Sequence, residues 1–273
     1  MMARFSLLQF NTLADALSDS FPLVDGNVLK WEHRRTLLVE QILKAAPDVV
    51  CMEEVDHFDD WFAPRLAVHG YTGVFFPKAP GRDGCAMFVK GDRVRFGSAQ
   101  VQRVCLRDHI DIRAVPNADG RQGAIVAELE LVASGRRVVV AVTHLKAKSE
   151  FDDVRFHQTK ALLSLLAAHR ANGLPIVLAG DFNTEPASTA IALVTKEGFR
   201  SAYDLSSLKY TTWKIRPPSE ACRVIDYIFY SPESLQLVAV TPMPTPNEIP
   251  HPRLPSARFA SDHLPLQATF HLN

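Results

Sequence analysis

Hydrophobic and polar positions along this chain follow two rhythms, one with the period of a strand and one with that of a helix. Short β-rich runs recur at "RFSLLQF" (4–10), "DVVCM" (48–52), "GCAMFVK" (84–90), "AIVAELEL" (124–131), "RVVVAVTH" (137–144), "PIVLAG" (175–180), "VIDYIFY" (224–230) and "LPLQATF" (264–270). Between them, "WEHRRTLLVEQILKAA" (31–46) and "DDVRFHQTKALLSLLAAHR" (152–170) carry apolar residues at helical spacing and charges elsewhere. Pro47 and the stretch Asn172-Gly173-Leu174-Pro175 are natural helix stops. "VVVAV" and "PIVLAG" are apolar throughout, as strands covered on both faces are, whereas "AELEL" alternates as it would with one face in water. The pattern predicts an α/β protein: a layered sandwich of buried sheets with helices outside.

The pattern also sets the organisation. A chain of 273 residues can bury one substantial core, and a single domain over 1–273 is expected. "TPMPTPNEIPHPRLPS" (241–256) has six prolines in sixteen residues and reads as an irregular surface loop too short to separate domains. No apolar run approaches a membrane span, and "MMARFSLLQFNTLADAL" makes a poor signal peptide, so a cytoplasmic, monomeric protein is expected. Four scattered cysteines without a C-x-x-C predict buried thiols rather than disulfides or a zinc site. Basic and acidic residues balance at 30 each. The basic bias of a protein living on long nucleic acid is absent, which favours a compact anionic substrate over RNA.

Candidate chemistry collects where apolar strands end. Asn11 closes "LLQFN", Glu53-Glu54 close "VVCMEE", His144 closes "VVVAVTH", and Asp181 with Asn183 close "IVLAGDFN". Asp226 lies early in "VIDYIFY", and Asp262-His263 precede the last strand. Singly, each is an ordinary turn or cap residue. Together, on one edge of a sandwich, six such segments make a cleft of the kind that holds α/β sites. Carboxylate and amide oxygens suit a hard Mg2+ ion better than zinc. No H-E-x-x-H, P-loop, G-x-S-x-G or G-x-G-x-x-G is present. Two histidines among carboxylates and amides fit metal-assisted hydrolysis of a phosphate ester.

These motifs resemble a known family. "GDFN" followed by "SDH", with "EE" after an early strand and "TH" after a central one, resembles the endonuclease/exonuclease/phosphatase superfamily, whose fold is a four-layer αββα sandwich. "KWEHRRTLLVEQIL", "PDVVCMEEVDHF", "FFPK", "DGCAMF", "AVTHLKAK", "GDFNTEP", "YTTWKIR", "IDYIFYS" and "RLPS…SDHL" are similar, in order, to segments of its nocturnin branch, a relative of the deadenylase subunits. The resemblance implies Glu54 as principal ligand of Mg2+ (with Mn2+ as a substitute ion), Asn11 beside it as ligand or phosphate contact, and Asp262 on the metal side. It implies that Asp181 and Asn183 position water and phosphate. It further implies that His144 donates to a non-bridging oxygen and that His263, oriented by Asp226, contacts the phosphoryl group. The proton acceptor, Asp181 or His263, stays open. It implies removal of the 2′-phosphate from NADP+ and NADPH, with 3′→5′ poly(A) hydrolysis as the alternative and a catalytically silent RNA adaptor as a third reading. Substrate contacts map to Lys78, Lys146, Lys148 and Arg216, with Trp213 packing against a ring.

Departures from the branch concern substrate detail. Lys148 stands where arginine is usual, exchanging a bidentate contact for a point charge. Glu53 stands where glutamine is usual, either adding charge beside the metal or pointing away on its strand. The connection "APGR" (79–82) is short, and 107–122 diverges locally. Asp56-His57 are expected to be structural.

Overall fold

Alternation of inward and outward residues along each strand sorts the chain into two packed sheets. The computed structural model describes residues 3–80, 82–98 and 101–273; Gly81 of the short 79–82 connection lies outside them. In chain order the strands are β1 (Arg4–Asn11), β2 (Val49–Val55), β3 (Tyr71–Pro77), β4 (Gly84–Lys90), β5 (Val94–Phe96), β6 (Gln102–Cys105), β7 (Gly123–Leu131) and β8 (Arg137–His144). They continue with β9 (Ile176–Asp181), β10 (Arg200–Ser201), β11 (Thr212–Arg216), β12 (Ser219–Arg223), β13 (Asp226–Tyr230), β14 (Leu235–Val240) and β15 (Leu266–Leu272). One sheet runs β14-β15-β1-β2-β4-β3 and the other β10-β13-β9-β8-β7-β5, with β6 also on β7. β11 and β12 form a separate hairpin. The helices are α1 (Gly26–Leu29), α2 (Trp31–Ala45), α3 (Ala63–Ala67), α4 (Asp152–Ala171) and α5 (Thr189–Lys196).

The core lies in three slabs, which give the four-layer αββα order. Phe5, Leu7, Val49 and Cys51 of the first sheet meet Val140, Val142, Val177, Ala179 and Ile228 of the second. The opposite face of the first sheet, with Leu8, Phe10, Val50 and Met52, is covered by Leu38, Val39 and Ile42 of α2. The outer face of the second, with Val139, Ala141, Leu178 and Phe229, is covered by Leu162 and Leu166 of α4 and by Ile191 and Val194 of α5. β8 and β9 are parallel and central, so both faces are buried and their interior runs, Val138–Val142 and Ile176–Ala179, are apolar on every residue. Helix α2 ends as expected, with Ala46 left-handed just ahead of Pro47.

Several elements differ from the sequence expectation. β3, β14 and the β11–β12 hairpin are half-buried edge or isolated strands, whose weak alternation hides among polar residues. Gly73 in β3 has a packing reason: a Cβ there would stand 2.3 Å from the Phe88 ring. The cysteines are all free, but only Cys51 and Cys85 are buried; Cys222 is exposed because its hairpin has no sheet behind it. Segment 241–256 is irregular apart from one turn of 3-10 helix at Pro246–Glu248. Among the described residues no helix is long and apolar enough to cross a membrane.

Candidate active site

Strand parity builds the site. On β1, β2, β8, β9 and β13 the residues facing the other sheet are core residues until the last inward position, where the chemistry changes. Phe5 and Leu7 are followed by Gln9 and Asn11, Val49 and Cys51 by Glu53, and Val140 and Val142 by His144. Ala179 is followed by Asp181, and on the antiparallel β13 Asp226 precedes Ile228. Register then lines them up: His144 stands opposite Asp181, Asp181 opposite Asp226, and Asn11 opposite Glu53. The polar cleft is therefore the open end of the inter-sheet core.

Glu54 has the wrong parity for an ideal strand and reaches the cleft through a local distortion. Its φ is +55°, and the β2–β4 register shifts between Met52 and Val55. The bulge lets consecutive glutamates serve one region. Glu53 neither points away nor reaches solvent; it is fully buried and accepts from Gln9 Nε2 at 2.8 Å.

At the centre, Asn11 Nδ2 donates to Asp181 Oδ2 at 2.9 Å and to Glu54 Oε1 at 3.2 Å. Its side-chain oxygen Oδ1 accepts from the Leu13 amide at 3.0 Å, while Nδ2 orients the two carboxylates. Among the described residues Glu54 otherwise accepts only from the Ala14 amide, at 3.3 Å. Asp181 Oδ1 accepts from the Asn183 amide at 2.8 Å, and the Asn183 side chain lies 2.9 Å from His144 Nε2. His144 Nε2 is 3.6 Å from Asp181 and 4.0 Å from Glu54, and His263 Nε2 is 3.9 Å from Asp181. These gaps are too long for direct hydrogen bonds and leave a polar space between the groups. Glu54, His144 and Asp181 place ligand atoms within 4.8 Å of one another, a donor set that fits a divalent cation. Asp181, Asp226 and His263 do so too. That trio fits less well, because Asp226 is already engaged by three donors.

His263 Nδ1 donates to Asp226 Oδ2 at 2.9 Å, while Asp226 also accepts from Thr211 Oγ1 at 2.6 Å and Gln9 Nε2 at 3.2 Å. Burial opposes charge on His263, but Asp226 and then Asp262 outweigh it and push the imidazole up to about 9. Burial, followed by the positive charge of Lys78, holds His144 well below the ordinary histidine range, so that ring is neutral. Burial and then Asp226 raise Asp181 to about 7, and burial followed by Asp226 pushes Glu53 well above the usual carboxylate range. The cleft thus holds one cationic and one neutral histidine, distinguished by environment.

Asp262 departs from its expected place. Its carboxylate pairs with Lys214 and lies 3.8 Å from both Arg216 and His263 Nε2. Lys214 and His263 depress it far below the carboxylate range despite burial, and it belongs with the cations, not with Glu54. Strand β11 supplies that face: Thr212, Lys214 and Arg216 point toward Asp262-His263, and Trp213 by parity points the other way. There Arg253 covers the Trp213 ring at 3.9 Å and Glu220 accepts from its Nε1, so the ring is not presented to the cleft. Lys78 sits beside the cleft, donating to Asp83 at 2.5 Å and lying 3.3 Å from His144 Nδ1. Burial opposes its charge, but Asp83 and Glu54 keep the ammonium raised. Lys146 lies over the Phe151 ring at 4.7 Å, and Lys148 is exposed with φ +76°. Buried Arg155 fixes both through their carbonyls, at 2.8 and 2.6 Å.

Sequence reasoning missed Lys214, Gln9, Thr211 and Arg34. Strand parity in "TTWKIR" and "LLQFN" would have found the first two. Buried Arg34 of "WEHRRT" donates to the carbonyls of Thr12, Leu13, Leu29 and Ala260, tying the Asn11 and Asp262-His263 segments together. Ser261 adds a bond to the Asn11 carbonyl at 2.7 Å. Asp56 and His57 stay outside the cleft, Asp56 on the Ala16 amide and His57 stacked on Trp31.

The sequence profile of the Endonuclease/Exonuclease/phosphatase family matches residues 8–263. The chain belongs to that family. Within it, the chain is 36% identical to nocturnin of Xenopus laevis over 98% of its own length and 73% of that protein. It is 36% identical to nocturnin of Homo sapiens over 97% of its length, spanning 64% of the human protein. The Ccr4 3′-5′-exoribonuclease subunit of Saccharomyces cerevisiae is 27% identical over 97% of this chain and 38% of that protein. The catalytic domain of human nocturnin with bound sulfate superposes with a TM-score of 0.81 at 32% identity, covering 99% of this chain and 94% of that one. ANGEL2, a 2′,3′-cyclic phosphatase, shares the fold with a TM-score of 0.86 at 23% identity, over 99% and 96% of the two chains. An endonuclease/exonuclease/phosphatase-family cleft of this composition hydrolyses phosphate esters.

Proposed function

We propose that this chain is a Mg2+-dependent phosphatase that removes the 2′-phosphate from NADP+ and NADPH. The observation that carries the reading is the charged His263 facing Asp181 across 3.9 Å, with Asp226 behind the ring. A protonated imidazole is a donor and an acid, so Nε2 binds a phosphoryl oxygen or protonates the leaving hydroxyl. Asp181, raised to about 7, is the group matched to taking the proton of an attacking water. Neutral His144 and the Asn183 amide donate to the remaining oxygens. A divalent ion held by Glu54 would supply further offset of phosphoryl charge when bound.

Cations grouped around a small cleft support a compact substrate with several phosphates. Lys78 and Arg216 flank the polar space, and Lys146 and Lys148 follow the cleft residue His144 closely in the chain. The sulfate in the human nocturnin catalytic domain supports an oxyanion site in a relative of this chain.

The test is a substrate panel. Purified protein with Mg2+ is given NADPH, NADP+ and an oligo(A) RNA, and released phosphate and RNA length are followed. The proposal expects phosphate from both dinucleotides and intact RNA. Shortened RNA without phosphate release sinks it, and inactivity on all three favours the silent adaptor.

A further inference from the structure

Gln9 and Glu53 are completely buried, and the chemistry above uses neither. Gln9 Nε2 donates to Glu53 Oε2 at 2.8 Å and to Asp226 Oδ1 at 3.2 Å. Asp226 in turn holds His263 Nδ1 at 2.9 Å. One line of hydrogen bonds therefore runs from β2 through β1 to β13 and on to the imidazole. Its two amide hydrogens are committed, one to each carboxyl group. Among the described residues Gln9 Oε1 and Glu53 Oε1 are buried without partners, an arrangement a packed core avoids unless it does something else.

We infer that Glu53 and Gln9 are positioning residues, which hold the Asp226 carboxylate and through it the His263 ring in the orientation hydrolysis needs. The inference rests on reading the cleft as a phosphate-ester hydrolase site. Glu53 supplies the acceptor that keeps the Gln9 nitrogen turned toward Asp226. Without that acceptor Gln9 keeps only its longer bond to Asp226, at 3.2 Å, and one amide hydrogen is left buried and unpaired. The side chain then shifts to find another partner, the carboxylate loses a fixed donor, and its bond to Nδ1–H weakens. Glutamine at position 53 would preserve the device, because its oxygen accepts from Gln9 Nε2 and its own amide can donate to the orphaned Gln9 Oε1.

The experiment compares the full chain with Glu53→Gln, Glu53→Met, Gln9→Met and the double methionine variant. The readouts are kcat and KM for phosphate release from NADPH with Mg2+, and the position of the His263 Nδ1–H resonance by proton NMR. Glu53→Met and Gln9→Met each lower kcat roughly tenfold with KM unchanged, the scale on which residues behind a reactive shell act. The double variant is no slower than Gln9→Met alone, because both substitutions cut the same line. Glu53→Gln keeps the parent kcat and the downfield Nδ1–H signal, which moves upfield in Glu53→Met. Any of three results overturns the inference: a Glu53→Met kcat within about twofold of the parent, effects that multiply in the double variant, or an unmoved Nδ1–H signal. Should the parent release no phosphate from NADPH, the substrate reading fails, and the NMR comparison alone decides the positioning role.

Discussion

Asp226→Asn removes a charge while keeping the shape of a fully buried side chain, and its effect on His263 can be worked from the structure. The carboxylate touches Nδ1 with both oxygens, at 2.9 and 3.1 Å, and its charge is the largest influence raising an imidazole that burial alone would lower. Without it, His263 falls from about 9 toward its ordinary 6.5, with Asp262 and Asp181 still raising it. A complete fall corresponds to roughly 3 kcal/mol at about 1.4 kcal/mol per tenfold, which is the upper bound of the loss. Because the folded value lies above the unfolded one, the stabilisation is complete below 6.5 and is lost as pH rises through about 9. The variant should therefore lose up to roughly 3 kcal/mol near pH 6 and much less above about pH 9. Proton NMR titration of His263 in EDTA and urea unfolding at both pH values measure the two quantities. A His263 that still titrates near 9 in Asp226→Asn, or an equal stability loss at both pH values, refutes the reasoning.

Glu54→Ala should lower phosphate release by about a hundredfold to a thousandfold, the scale of losing one preorganised electrostatic group, while unfolding stays cooperative. Calorimetry should also lose its Mg2+ signal; retention of both signal and rate removes Glu54 from the ligand set. Arg34→Met leaves four carbonyls without their donor and should cost about 3 kcal/mol or more in urea unfolding. A loss under about 1 kcal/mol would mean that Arg34 does not tie the Asn11 and Asp262 segments together. Lys148→Arg should lower the KM for NADPH by about threefold to tenfold, the worth of roughly 1 kcal/mol of added hydrogen bonding. An unchanged or higher KM counts against a phosphate contact there.

Much of the fold was legible because both sheets are covered. A strand buried on two faces reads as an unbroken apolar run, and β8 and β9 were bounded within a residue or so from "RVVVAVTH" and "PIVLAG". Edge strands β3 and β14 were not legible, since half-exposure blurs alternation. The candidate cluster was visible as polar residues closing apolar strands. Which neighbours share a space was not, because that depends on register and on one bulge. Glu54 reaches the cleft only through its left-handed backbone, and Glu53 is drawn into the core by Gln9. Asp262 joins Lys214 because β11 turns its even positions toward it, and the same parity takes Trp213 away. Adjacency in "SDH" names the residues but not the partners each one finds.

The most direct test of the central claim identifies the bond that breaks. NADPH is incubated with the protein and Mg2+ in oxygen-18 water, and the products are resolved by mass spectrometry. The account predicts NADH with its pyrophosphate intact and inorganic phosphate carrying one oxygen-18 atom. Cleavage at the pyrophosphate, or no turnover of NADPH while oligo(A) is shortened, would contradict it.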